Sequence, residues 1–186
     1  MAKSSEYVAL LRGINVGGNN IIKMTKLVTC FTELGFGNVR TYIQSGNVIF
    51  SAAPEKPAEL TKRIETELAE RFGYDATVVV RSRKQLADLV ARAPRGFGSS
   101  PSTYRYDVLF LMAPLTVRSA LAVLPRKAGV DEVFSGAAEI YFSRLIKKAT
   151  QSQLSRVMGT PIYKSMTIRN WNTTTKLLQL MDGSER

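Results

Sequence analysis

The stretch Tyr7-Val8-Ala9-Leu10-Leu11-Arg12-Gly13-Ile14-Asn15-Val16-Gly17-Gly18-Asn19-Asn20 decides how the rest of the chain is read. Its first five residues form an apolar strand, and the strand empties into a loop of glycines and asparagines. A helical pattern follows from about Thr25, with Leu27, Val28, Phe31 and Leu34 on one face. Tyr7–Leu11 is apolar on both faces. A sheet with one wet face should alternate apolar and polar residues, so this strand is expected to be covered on both sides.

Outward from that strand the pattern is regular. Val39–Gln44 and Asn47–Ser51 read as short strands joined by a two-residue turn at Ser45-Gly46. Leu60, Ile64, Leu68 and Phe72 lie four apart on a second helix that Gly73 stops. Ala76–Arg81 is a fourth strand. The order strand-helix-strand-strand-helix-strand is that of the ferredoxin-like, or α-β plait, unit. Ser82 caps a trailing helix that Pro94 ends.

The second half repeats the plan. A strand at Tyr106–Met112, a helix at Thr116–Leu124, strands at Glu132–Phe134 and Glu139–Phe142, a helix at Gln151–Met158 and a short strand at Ser165–Ile168 follow in turn. A final helix, Thr173–Met181, takes Asn172 as its N-cap. The expected fold is α+β, two packed ferredoxin-like βαββαβ units plus a C-terminal helix. Residues 1–93 form the first unit with its trailing helix. Residues 94–105, dense in Gly, Pro and Ser, form a linker, and 106–186 form the second unit with the terminal helix.

Composition removes several kinds of chemistry. The 186 residues include no histidine and one cysteine, Cys30. Ser-His-Asp and Cys-His catalysis and zinc sites of the usual ligand types therefore cannot be built, and no intrachain disulfide can form. No metal and no cofactor is expected. Runs such as Val108–Ala113 fall far short of the roughly 20 apolar residues that span a bilayer. The first six residues lack a signal peptide's apolar core. A cytoplasmic protein without a membrane partner is expected.

Net charge is +11, from 26 Lys and Arg against 15 Asp and Glu. Residues 1–93 carry +4 and residues 94–186 carry +7. An excess of this size favours anionic partners, although solubility alone would also explain it.

In the plait order the first and third strands are antiparallel neighbours. Gly13–Asn20 then lies beside the Gln44–Asn47 turn, and Arg12, Asn15, Asn19, Asn20, Gln44, Ser45 and Asn47 share one rim rich in amides. Gly13 and Gly18 have the spacing of a phosphate-binding loop, but Asn19 stands where that loop needs lysine and Asn20 where it needs a hydroxyl. The dinucleotide motif G-x-G-x-x-G is absent. Loop N–H groups can still cradle an anion, and the same glycines also suit a plain turn.

A second polar cluster is Thr167-Ile168-Arg169-Asn170-Trp171-Asn172-Thr173-Thr174. Arg169 suits bidentate binding of a phosphate and Trp171, the only tryptophan, suits stacking on a ring. Both also suit an anchored terminal helix. Thr103-Tyr104-Arg105-Tyr106 interleaves aromatic and basic groups as nucleic-acid sites do, over a very short span. The third strand, Gly46–Ser51, lacks the aromatic signature of an RNA-recognition sheet, so nucleic acid would have to use loops or a basic groove.

Leu11–Asn20, Tyr42–Phe50 and Arg169–Thr173 together resemble the hallmark segments of an uncharacterised bacterial family, domain of unknown function 1697. The resemblance runs over nearly the whole chain. It implies a cytoplasmic bacterial protein of two ferredoxin-like units, and it implies no activity, since the family has no established catalytic or binding residue.

The residues leave binding protein and enzyme both open. The leading expectation is a protein that binds an anionic, phosphate-bearing small ligand at the rim. Arg12 supplies charge, Asn15, Asn19, Gln44, Ser45 and Asn47 supply hydrogen bonds, and Arg169 and Trp171 close the site. The alternatives are a nucleic-acid-binding module using the basic C-terminal half and a protein-interaction scaffold.

Overall fold

Strand β1 (Ser5–Arg12) is the second-from-edge strand of the first of two four-stranded antiparallel sheets in a mixed α+β fold. The computed structural model describes residues 4–15, 21–73 and 75–183. After β1 come α1 (Met24–Glu33), β2 (Gly37–Tyr42), β3 (Asn47–Ala52), α2 (Pro57–Phe72), β4 (Thr77–Ser82) and α3 (Arg83–Ala91). The sheet order is β2-β3-β1-β4, with β1 antiparallel to both neighbours.

Both faces of β1 are buried, as its lack of alternation requires. Tyr7, Ala9 and Leu11 pack with Leu27, Phe31, Phe50, Leu60, Ile64 and Val78 under α1 and α2. Each such large side chain contributes about 1.5–3 kcal/mol by leaving water. Val8, Leu10, Ile49 and Val79, on the other face, are at most 1% exposed. At that face the Arg40 Nη2 donates to Glu6 Oε1 at 2.6 Å and to Leu180 O at 2.8 Å. α3 opens with a capping box, in which Ser82 Oγ accepts from Gln85 N and Gln85 Oε1 accepts from Ser82 N.

The second sheet holds β5 (Tyr104–Leu111), β6 (Asp131–Ser135), β7 (Glu139–Leu145) and β8 (Met166–Asn170) in the order β6-β7-β5-β8. That is the arrangement of the first sheet, strand for strand. Helix α4 (Val117–Val123) follows β5, with a capping box between Thr116 and Ser119. Helix α5 (Trp171–Met181) closes the described chain.

Three local expectations are corrected. The turn between β2 and β3 has four residues, Ile43–Gly46, because pairing ends at Tyr42↔Asn47. The helix expected at Gln151–Met158 is a series of 3-10 turns at Ile146–Gln151, Leu154–Gly159 and Pro161–Ser165. Asp131 Oδ2 accepts from the N–H groups of both Lys127 and Gln153, which fixes the chain between the first two turns. Leu154, Val157, Ile162 and Tyr163 then reach the core singly, without a continuous helical stripe. The N-cap of α5 is Asn170 rather than Asn172. Strand β8 runs directly into the helix, and Asn170 Oδ1 accepts from Asn172 N at 3.0 Å.

The chain divides into two compact units, Met1–Ala87 with Leu177–Arg186, and Asp88–Lys176. The division falls inside α3 and α5. In the first unit Arg83 Nε pairs with Asp182 Oδ1 at 2.6 Å. In the second the Tyr141 hydroxyl donates to Leu89 O at 2.7 Å. Residues 94–103 fold as successive turns within the second unit, with Phe97 N donating to Pro94 O and Tyr104 N to Ser100 O.

Candidate functional site

The rim of the first unit assembles as its strand register dictates. Leu10 stands opposite Asn47, and Leu11 N donates to Gly46 O at 2.8 Å. A Cβ on Gly46 would meet Ile14 Cγ1 at 2.8 Å and Leu11 Cβ at 2.9 Å, so the turn approaches β1 this closely because residue 46 has no side chain. Arg12, Asn15, Gln44, Ser45 and Asn47 come together at this end of the sheet. Asn19 lies outside the described residues.

The rim asparagines are engaged with backbone. Asn15 sits in the left-handed region at φ 54°. Its Nδ2 donates to Ile22 O and to Gln44 O, both at 3.0 Å, and its Oδ1 accepts from Ile22 N at 2.8 Å. Asn47 is fully buried, and its Nδ2 donates to Tyr42 O and Ser45 Oγ, both at 3.0 Å. Gln44 is exposed and offers its carbonyl to Asn15. The amides thus tie one loop to the next.

Arg169 and Trp171 lie in the second unit. Arg169 is only 8% exposed. Its Nη1 donates to Thr167 Oγ1 and Ile168 O, both at 2.9 Å, and burial pulls its pKa down to about 10. Trp171 is half-buried. Its ring meets Phe97 edge-on at 5.2 Å and Tyr141 at 6.4 Å. Gly98, at φ 85°, lies against the indole, where an added Cβ would collide with Nε1 and Cδ1.

Beside Trp171 is a cleft of about 330 Å³ lined by Pro101, Tyr104, Arg105, Tyr106, Ile146, Asn170, Trp171 and Asn172. Its cause is the register. β8 ends with Asn170 opposite Asp107, so Tyr104, Arg105 and Tyr106 extend past their neighbour on that side. Asn170 Nδ2 donates to Tyr106 O at 3.0 Å and holds the corner. Arg105 is exposed, and its charge acts on the Asp107 carboxylate two residues along β5. The Asn172 side-chain amide is likewise exposed and makes no hydrogen bond among the described residues.

A second cleft, of about 200 Å³, shares Tyr104 and Tyr106 with the first. Its other walls come from Pro94–Ser100 and from Glu132, Phe134 and Ser143 on β6 and β7. The half-buried Tyr104 ring and the buried Tyr106 ring stand 6.0 Å apart, and both line the two clefts. The Tyr-Arg-Tyr motif was visible in the sequence. Phe97, Glu132 and Phe134 were missed, because only register and packing bring them to it.

Remaining buried polar groups are structural in their surroundings. Asp107 and Asp131 are each 7% exposed on the sheet face opposite Tyr106, with Arg144 Nη2 3.5 Å from Asp107 Oδ2. Burial raises the Asp107 pKa, and Arg144 opposes that shift. Glu139 folds back on its own turn, accepting from Ala137 N and Ala138 N, both at 3.1 Å. Burial pushes the Cys30 thiol up to about 11, which keeps it unreactive. Among the described residues no group of three or more His, Cys, Asp or Glu side chains could hold a metal ion. No described helix is long and apolar enough to cross a membrane.

The fold is shared with a solved structure. The conserved bacterial protein SP0830 from Streptococcus pneumoniae superposes with a TM-score of 0.83 at 27% sequence identity, over 96% of this chain and 99% of that one. No curated protein matches the chain. The model of the family described as protein of unknown function (DUF1697) matches residues 4–141, which takes in the first two hallmark segments and stops short of the Arg169–Thr173 segment. The chain belongs to the DUF1697 family.

Proposed function

We propose that the protein binds a phosphate-bearing ligand with an aromatic ring, of the nucleotide class, in the cleft of the second unit between Tyr104, Arg105 and Trp171. The observation that carries this reading is the combination in one cleft of aromatic faces, an exposed guanidinium and an exposed amide. Its volume of about 330 Å³ falls within the range of small-ligand sites. Tyr104 and the open part of Trp171 stack on the ring. Arg105 takes the phosphate through its fork of donors, and Asn172 supplies a donor and an acceptor to the ring edge. The rim of the first unit supports the same ligand class less well, because the Asn15 and Asn47 amides already bind backbone.

The second unit carries 13 basic against 5 acidic residues, and Asp107, Asp131 and Glu139 among the five are buried. The field around the cleft is therefore positive. We read each unit as ferredoxin-like, the second with 3-10 turns in place of its second helix. The shared fold of a bacterial protein and the single buried thiol support a cytoplasmic, bacterial setting.

Trp171 is the only tryptophan and reports directly on the cleft. Titration with adenosine and uridine 5′-monophosphates should quench its fluorescence saturably. Tyr104→Ala and Arg105→Gln should each weaken binding about ten-fold or more. Quenching that does not saturate, or that survives both substitutions, overturns the reading. So does an equal loss in Arg12→Gln, which would return the site to the first unit.

A further inference from the structure

We infer that the ligand is a single-stranded nucleic acid, with successive bases seated in the two clefts that share Tyr104 and Tyr106. This rests on the nucleotide reading of the first cleft and extends it by independent observations. The second cleft adjoins the first and uses the same two tyrosines, so one chain can occupy both. Phe134 is 39% exposed at its wall, a large ring left open to a flat ligand. Arg95 lines the second cleft and Arg105 the first, and both are exposed. A mononucleotide fills one cleft and leaves Phe134 and Arg95 without a role. A polynucleotide has a base for each cleft and phosphates for each arginine, the combination that single-strand sites use.

The one carboxylate in the second cleft fits the same assignment. Glu132 Oε2 accepts from Ser143 Oγ at 3.2 Å and lines the cleft. A carboxylate repels phosphate, and it accepts hydrogen bonds from the exocyclic amino groups of cytosine and adenine. The second cleft therefore seats a base edge, and its base carries an amino group. A duplex hides its base faces in its own stack and offers nothing for the clefts to receive. An extended proline-rich peptide also suits aromatic grooves, but it brings no charge to Arg95, Arg105 and the basic surround.

The test is a length series on the full chain, from adenosine monophosphate through the adenine dinucleotide to a labelled adenine dodecamer, followed by fluorescence anisotropy. The dinucleotide should bind about ten-fold or more tightly than the mononucleotide, from one further stacked base. Arg95→Gln and Phe134→Ala should pull the dinucleotide back toward mononucleotide affinity. Dodecamer binding should fall steeply between about 50 and 200 mM salt. Glu132→Gln should weaken the adenine and cytosine strands more than the thymine strand. Mononucleotide binding with no gain in length overturns this inference and leaves the cleft reading standing. Absence of binding to any member overturns both. Equal affinity for duplex, or displacement of the dodecamer by a proline-rich peptide at equal concentration, also overturns it.

Discussion

Asn15 Nδ2 reaches Gln44 O at 3.0 Å and joins two loops twenty-nine residues apart in sequence. The same amide closes its own loop through both backbone groups of Ile22. Asn is among the few residues that adopt a φ of 54° readily. One residue thus meets a conformational and a hydrogen-bonding demand together, and its place beside a glycine-rich loop is architectural.

Asn15→Ala should lower stability by about 2 kcal/mol or more, from lost bonds to part-buried groups and from the left-handed backbone. Asn15→Gly removes the bonds and keeps the backbone conformation accessible, so its loss should be smaller. Urea midpoints at constant slope measure both. Equal midpoints for Asn15→Ala and the parent chain would show that the bonds add nothing.

The fold was legible where pattern and structure share a cause. Tyr7–Leu11 lacks alternation because both faces of β1 are buried, and Leu60, Ile64 and Leu68 lie four apart because they share one helical face. Legibility failed where a distant group decides. Nothing local to Gln151–Met158 shows that Asp131 will take the N–H of Gln153 and break a helix there. Asn15 meets the Gln44–Asn47 turn at one end of the sheet, yet whether an amide serves a ligand or a carbonyl depends on a backbone angle that the residue type does not reveal. The clefts depend on β8 stopping opposite Asp107, a register that no window of sequence displays.

Gly98 meets Trp171 with no room between them. Gly98→Ala places a methyl group into the indole and forces a left-handed residue to carry a Cβ, so stability should fall by about 1–3 kcal/mol. The tryptophan emission should move to the red as the ring is displaced toward water. Because Trp171 also lines the first cleft, nucleotide affinity should drop in the same variant. An unshifted spectrum with normal binding would show that the turn at Gly98 yields without moving the ring.

Asp107 gives the second unit a pH dependence of definite sign. Burial raises its folded pKa above the unfolded value, so the native state holds the proton over a range where the unfolded chain has lost it. Stability contributed by this group therefore falls as pH rises from the ordinary aspartate range, ~3.9, through the raised folded value. Burial raises Glu65 as well, and its contribution has the same sign. Asp107→Asn removes one of the two, so the difference in stability between variant and parent should shift in the variant's favour as pH rises across that window. Urea midpoints taken stepwise through weakly acidic pH measure it. A difference that stays flat, or moves the other way, would mean that the Arg144 ion pair outweighs burial.

Ile43 carries a strain that its surroundings do not compensate. It is β-branched, sits at φ 50° in the four-residue turn and is 50% exposed. The left-handed region costs such a residue roughly 1–2 kcal/mol, while half of its surface remains in water and returns little hydrophobic gain. Ile43→Asn should raise stability by about 1 kcal/mol, since asparagine adopts that backbone readily. Ile43→Val keeps the branched Cβ and should give no such gain. Chemical denaturation of the two variants separates backbone relief from lost apolar contact. A loss in both would show that the isoleucine side chain holds the turn through its packing, and a gain in Asn alone would locate the strain in the backbone at residue 43.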